Sequence, residues 1–91
     1  AKALGMDGRI TYADWLTALA RHRNACAYCG APNCLFDLDH VDSLDGGGAN
    51  ALSNIAPACR PCNGQKHART LAAFCAIRGL DEQQIRAALI A

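Results

Sequence analysis

Four of the six cysteines in this 91-residue chain occur as two pairs with the same spacing, Cys26-x-x-Cys29 and Cys59-x-x-Cys62. A Cys-x-x-Cys turn directs two thiolates toward one side of a metal ion, and two such turns complete a tetrahedral set of ligands. The spacing therefore predicts a structural zinc site that contains all four sulfurs.

Other uses of the cysteines are weaker interpretations. Two disulfides in a small secreted protein would also use four thiols, but Cys-x-x-Cys pairs are poor sites for structural disulfides and no secretory signal is present. A redox function suits one such pair but not two. Cys75 stands in a helical pattern beside Phe74 and is predicted to be a small buried apolar residue. Cys34 has no regular spacing from Cys29, so we assign it a structural role as well.

The segment between and just after the cysteine pairs collects side chains that bind metals and transfer protons. They are, in chain order, Asp39, His40, the glycines 46–48, Asn54, Asn63 and His67. Neighbours on a strand point to opposite faces, so Asp39 and His40 would meet different partners. The four-residue spacing places Asn63 and His67 on one face of a helix. Each residue alone has an ordinary structural interpretation, but their joint order around the cysteines favours a shared site.

This combination of interleaved cysteine pairs, Asp39-His40, a glycine-rich loop and Asn54 resembles the HNH endonuclease family. The resemblance covers about residues 26–69, roughly half of the chain. It implies a ββα-metal core and an enzyme that hydrolyses DNA phosphodiesters to 5′-phosphate and 3′-hydroxyl ends.

The resemblance also implies a role for each matching residue. His40 corresponds to the general base that takes a proton from the attacking water, which suits a neutral imidazole. Asp39 and His67 correspond to ligands of a catalytic divalent ion, for which Mg²⁺ or a softer ion such as Mn²⁺ or Ni²⁺ is expected. Asn63 is expected to ligate that ion directly or through water, and Asn54 to brace the loop that carries the base.

Basic side chains beside the predicted site helix indicate how DNA would be held. Arg60, Lys66 and Arg69 are predicted to form a strip that faces phosphates. The formal net charge is only +1, so composition indicates no strong global field. We therefore expect weak, largely sequence-independent binding of double-stranded DNA, and RNA stays open as a substrate.

The elements that must position these residues follow from hydrophobic periodicity and capping signals. We predict a helix at 12–23 that opens with a capping box of Thr11 and Asp14, and a hairpin of strands at 35–41 and 52–56. A site helix at 61–69 and supporting helices at 71–78 and 81–90 follow, and Gly79 is expected to cap the first supporting helix. Large apolar side chains are scarce, and a core this thin usually needs a metal. The predicted class is α+β: one domain over 1–91, with a small zinc-stapled ββα-metal core and flanking helices.

Two hypotheses about function follow. The first is a metal-dependent DNA endonuclease; the second is a catalytically silent zinc module that binds nucleic acid or protein. No apolar run reaches the roughly 18 residues of a membrane span and no signal peptide opens the chain, so we expect a cytoplasmic, reducing location. The chain begins Ala1-Lys2 without an initiator methionine, as a domain of a longer protein would.

Overall fold

The computed structural model describes residues 10–67 and 69–90 of the predicted single domain. Four helices surround a two-stranded antiparallel sheet, which confirms the α+β class. In chain order the elements are α1 (Tyr12–Arg21), β1 (Phe36–His40), a 3₁₀ turn (Leu52–Asn54), β2 (Ile55–Cys59), α2 (Arg60–Lys66), α3 (Leu71–Arg78) and α4 (Glu82–Ala88). Within the described residues, no helix is both long and apolar enough to cross a membrane.

The hairpin formed by β1 and β2 carries the centre of the fold. Phe36 pairs with Cys59 at one end of the register and His40 pairs with Ile55 at the other. The second strand begins three residues later than predicted, because Leu52–Asn54 forms a 3₁₀ turn. All five residues of β2 are buried, so this strand carries no apolar–polar alternation that could have marked its start.

Local capping chemistry sets several helix ends where the sequence predicted them. The Thr11 hydroxyl accepts a hydrogen bond from the Asp14 amide at 3.0 Å, and the Asp14 carboxylate accepts one from the Thr11 amide at 3.1 Å. This reciprocal pair is the predicted capping box. Gly79 ends α3 in the left-handed conformation, also as predicted. Helix α1 stops two residues early, because Arg23 and the residue after it adopt positive φ angles.

The site helix α2 is shorter than predicted. It begins at Arg60, directly after β2, and ends at Lys66 rather than at residue 69. His67 follows with a φ of 40° and a ψ of −118°, which is incompatible with a further helical turn. The prediction that Asn63 and His67 share one helical face is therefore wrong.

The core is small and includes three of the paired cysteines. Val41, Phe74 and Leu71 are almost fully buried, and they pack in one cluster with alanines of β2 and with Cys26, Cys59 and Cys62. The Tyr28 and Phe74 rings meet edge to face with centroids 5.3 Å apart. Since three of the four paired cysteines belong to this apolar cluster, core packing and the cysteine cluster depend on each other.

The glycine-rich loop between the strands folds back on the residues that follow His40. The backbone amides of Gly46 and Gly48 donate hydrogen bonds to the Ser43 carbonyl, at 3.0 and 2.8 Å respectively. A Cβ atom at Gly48 would lie 2.0 Å from the carbonyl oxygen of Asp42 and 2.6 Å from its carbonyl carbon. Only glycine fits there without a movement of the backbone.

We expect Gly48→Ala to lower the free energy of unfolding by about 1–3 kcal/mol, because backbone atoms must move to admit the methyl group. Urea-induced unfolding measures the change. Gly46→Ala is the matched control, since its new Cβ atom would meet nothing closer than 3.5 Å. Equal stability of the two variants would contradict this account of the loop.

Candidate functional site

The four paired cysteines converge on one point, as their spacing predicted. Each offers a sulfur, and the four Sγ atoms all lie within 4.8 Å of one another. The Sγ atoms of Cys29 and Cys59 are 3.6 Å apart. Four sulfurs at about 2.3 Å from a tetrahedral zinc ion would be separated by about 3.8 Å. The cluster is therefore a candidate zinc site, and Cys34 and Cys75 are not part of it.

The thiols of this cluster differ in acidity. Burial opposes ionisation of Cys26, but hydrogen bonds from neighbouring backbone amides lower the pKa of its thiol to about 7. Burial and the hydrogen bond with Cys59 raise the pKa of the Cys62 thiol to about 12. A bound cation would remove this difference, because a coordinating thiol loses its proton. The Arg78 guanidinium donates to Cys62 Sγ at 3.5 Å and adds positive charge beside the sulfurs.

Asp39 is a nearly buried carboxylate at the end of β1, with 8% of its surface exposed. The Tyr28 hydroxyl donates a hydrogen bond to Asp39 Oδ2. The Lys66 ammonium lies 3.2 Å from Oδ2 and 3.4 Å from Oδ1 of the same carboxylate. Burial, followed by the negative charge of Asp39, raises the pKa of Tyr28, so its hydroxyl remains a donor at neutral pH.

Lys66 lies in a different place from the one that the sequence predicted. Its side chain is 1% exposed, and its ammonium also donates to the carbonyl oxygen of His40 at 3.2 Å. The prediction that Lys66 faces DNA phosphates is wrong, because its charge is directed inward to Asp39. An ammonium group has three N–H donors, so Lys66 can donate to the Asp39 carboxylate and to the His40 carbonyl at the same time.

His40 lies beside Asp39 at an open pocket of about 360 Å³. The pocket is lined by Leu38, Asp39, His40, Ser43, Leu44, Asp45 and His67. The structure thus brings together three of the predicted site residues from β1 and from the end of α2. His67 follows the helix and is exposed, and its backbone does not have the helical conformation that was predicted for it.

The imidazole of His40 has a partner that sequence reasoning missed. Its Nε2 atom is 2.9 Å from the side-chain oxygen of Asn50, in the loop before β2. An amide oxygen only accepts, so Nε2 is the donor in this contact. No spacing or motif in the sequence marks Asn50. Only the fold of the loop brings its side chain to His40.

Asn54 closes the loop between the two strands. Its side-chain oxygen accepts from the Asp42 amide at 2.9 Å, and its nitrogen donates to the carbonyls of Asp42 at 2.9 Å and Ala49 at 2.7 Å. Its own carbonyl accepts from the Val41 amide. One buried amide therefore ties both ends of the loop that follows His40.

Asn63 is not brought to the pocket. Its side-chain amide donates to Asp37 Oδ2 at 3.1 Å, and the Arg60 guanidinium approaches the other oxygen of Asp37 at 3.8 Å. Arg60 and Arg69 are both exposed, as a phosphate contact requires. Arg69 borders a second cavity, of about 320 Å³, which it shares with Asp45.

The cysteine cluster packs against a strand pair and a short helix, and a carboxylate and two imidazoles line one pocket. Residues 26–69 match the model of the family described as HNH endonuclease. This segment is therefore similar to HNH endonuclease domains, which agrees with the resemblance drawn from the motifs.

One relative among the curated proteins is "SPbeta prophage-derived putative HNH endonuclease YoqL" of Bacillus subtilis (strain 168). It is 35% identical over 68 residues, which cover 64% of this chain and 30% of the relative. The chain thus spans less than a third of that protein's length. No solved structure matches this chain.

We expect Asn54→Asp to lower the free energy of unfolding by at least about 2 kcal/mol, because two carbonyl oxygens would lose their donors and face a carboxylate. Thermal and urea unfolding measure this loss. Ser53→Ala is the control, since Ser53 is exposed in the same 3₁₀ turn. A stability of Asn54→Asp equal to that of the control would show that the loop does not depend on this amide.

Proposed function

We propose that this chain is a metal-dependent DNA endonuclease domain that hydrolyses phosphodiester bonds. The observation that carries the proposal is the pocket shared by Asp39, His40 and His67 within the segment matched by the HNH family. A catalytically silent binding module would not need a carboxylate, a base and a second imidazole at one pocket.

Asp39 and His67 are the residues that would hold the catalytic divalent ion. One carboxylate and one imidazole form a mixed oxygen and nitrogen donor set, which suits Mg²⁺, Mn²⁺ or Ni²⁺. When bound, such an ion stabilises the negative charge that develops on the scissile phosphate and on the leaving 3′ oxygen. Asn63 would join this set only if its hydrogen bond with Asp37 were broken.

His40 is the proposed general base. Its Nδ1 lone pair accepts the proton of the attacking water, while the Nε2–H bond to Asn50 holds the ring in one orientation. In-line attack on the phosphorus then gives 5′-phosphate and 3′-hydroxyl ends. Asn54 contributes by holding the loop that begins directly after this base.

Double-stranded DNA with little sequence preference is the proposed substrate. Arg60, the first residue of α2, and Arg69, which follows the helix, are exposed and could contact phosphates, whereas Lys66 is buried. Contacts to phosphates carry no sequence information directly, so little sequence preference is expected.

The cysteine cluster is proposed to hold a structural zinc ion. All four ligand positions are taken by sulfur, which leaves no open position for substrate, and three of these residues are buried in the core. The zinc would therefore stabilise the fold and take no part in hydrolysis.

Nicking of supercoiled plasmid with Mg²⁺ or Mn²⁺ tests the nuclease. We expect the wild type to nick DNA and His40→Ala to lower the rate by about 100-fold or more, because the proton acceptor is lost. His22→Ala is the matched control, since His22 lies at the end of α1 and outside the pocket. Cutting at equal rates by wild type and His40→Ala, or no cutting with any ion, would support the silent binding module instead.

Metal analysis and chelation test the zinc site. We expect about one zinc ion per purified chain, and loss of cooperative unfolding after removal by a chelator, because the core is built on the sulfurs. Zinc should be released as the pH falls, since protons compete for the thiolates and the Cys26 thiol has a pKa of about 7 without metal.

The Cys62→Ser variant should lose both the zinc ion and the folded structure. The Cys34→Ser variant, at an exposed cysteine outside the cluster, should keep both. Full zinc content in Cys62→Ser would contradict the four-sulfur site.

A further inference from the structure

The carboxylate of Asp39 is held by two side chains that do not line the pocket. Tyr28 donates to its Oδ2 atom, Lys66 lies within reach of both of its oxygens, and both side chains are buried. A carboxylate with so little exposure requires partners for its charge. The two partners also limit the directions in which its oxygens can point.

The origin of these partners is specific. Tyr28 lies between the two cysteines of the first pair, Cys26 and Cys29. Lys66 ends α2, the helix that contains Cys62 of the second pair. The segment that carries each cysteine pair therefore also carries one side chain that contacts Asp39. Lys66 donates to the backbone carbonyl of His40 as well.

Both side chains have little freedom to move. The Tyr28 ring packs edge to face against Phe74 at an interplanar angle of 85°. The Lys66 side chain is 1% exposed and has two acceptors, the Asp39 carboxylate and the His40 carbonyl. A rigid donor fixes the orientation of the group that it contacts better than a solvated one.

We propose that Tyr28 and Lys66 are positioning residues that orient the Asp39 carboxylate for the divalent ion and so couple the cysteine cluster to the pocket. This inference rests on the proposed nuclease function. Tyr28 and Lys66 touch neither substrate nor ion; they act through Asp39 and, for Lys66, through the backbone of His40. Loss of either contact leaves the cysteine cluster in place but lets the carboxylate rotate.

Tyr28→Phe is the first test, because it removes only the hydroxyl and keeps the ring against Phe74. We expect zinc content to be unchanged, the affinity for Mn²⁺ measured by isothermal titration calorimetry to fall about tenfold, and kcat for plasmid nicking to fall about tenfold or more. KM for DNA should stay near the wild-type value, because no phosphate contact is changed. Tyr12→Phe is the control, at a tyrosine on α1 that is 75% exposed.

Lys66→Met is a second variant, with an unbranched side chain that fills similar space without the charge. It should reduce kcat at least as much as Tyr28→Phe, since both Asp39 and the His40 carbonyl lose a donor. A similar loss of kcat in both variants would show that the effect depends on the orientation of Asp39 and not on the Tyr28 hydroxyl alone.

Two outcomes would overturn the inference while the proposed function stands. In one, Tyr28→Phe binds Mn²⁺ and cuts DNA like the wild type. In the other, its losses only follow a loss of zinc or of melting temperature, which indicates a purely structural contact. A wild-type protein that neither binds Mn²⁺ nor cuts DNA would instead refute the proposed function, and the positioning role with it.

Discussion

The convergence of four sulfurs determines the arrangement of everything else in this fold. The core around them is built largely from small side chains, with Phe74, Val41 and Leu71 as its larger members. Such a core buries too little apolar surface to compensate readily for the entropy of ordering two short strands and four short helices. A cation bound by the sulfurs would supply an attraction that apolar packing cannot. It would act on the turn before β1 and on the junction of β2 with α2 at once. The hairpin that carries Asp39 and His40 lies between these two attachments.

Adjacent residues of β1 acquire different chemical roles because they meet different surroundings. Asp39 points toward the interior, where Tyr28 and Lys66 contact its oxygens, yet it still borders the pocket. His40 is less buried and meets Asn50 from the loop. Alternation along a strand therefore separates a fixed carboxylate from an imidazole that keeps a free nitrogen. The arrangement needs both the pleat of β1 and the closed loop, which Asn54 holds at its two ends.

Those features that depend on local chemistry could be predicted from the sequence. The cysteine cluster, the capping box at Thr11 and the end of α3 at Gly79 all follow from spacing or from a single backbone requirement, and all are confirmed. The start of β2 and the end of α2 were placed wrongly. The first is hidden because burial on both faces removes alternation. The second is hidden because the helix ends in a positive φ at a histidine, where the sequence offers no glycine to mark the end. Asn50 could not be found at all, since its contact with His40 spans a loop.

Lys66 shows why charge is the least readable property of this sequence. A lysine at the end of a helix beside arginines is normally solvated, and such a position favours a phosphate contact. Here α2 packs against both strands, and the inward face of its last turn meets Asp39, whose charge would otherwise be buried alone. Burial of a lysine is tolerated only where its charge meets such a partner, and Asp39 and Lys66 lie 27 positions apart in the sequence. Of the three basic residues predicted to contact phosphates, Arg60 and Arg69 are exposed, whereas Lys66 is buried against a carboxylate. Neighbouring positions of one short helix region therefore differ completely in the surroundings of their charge.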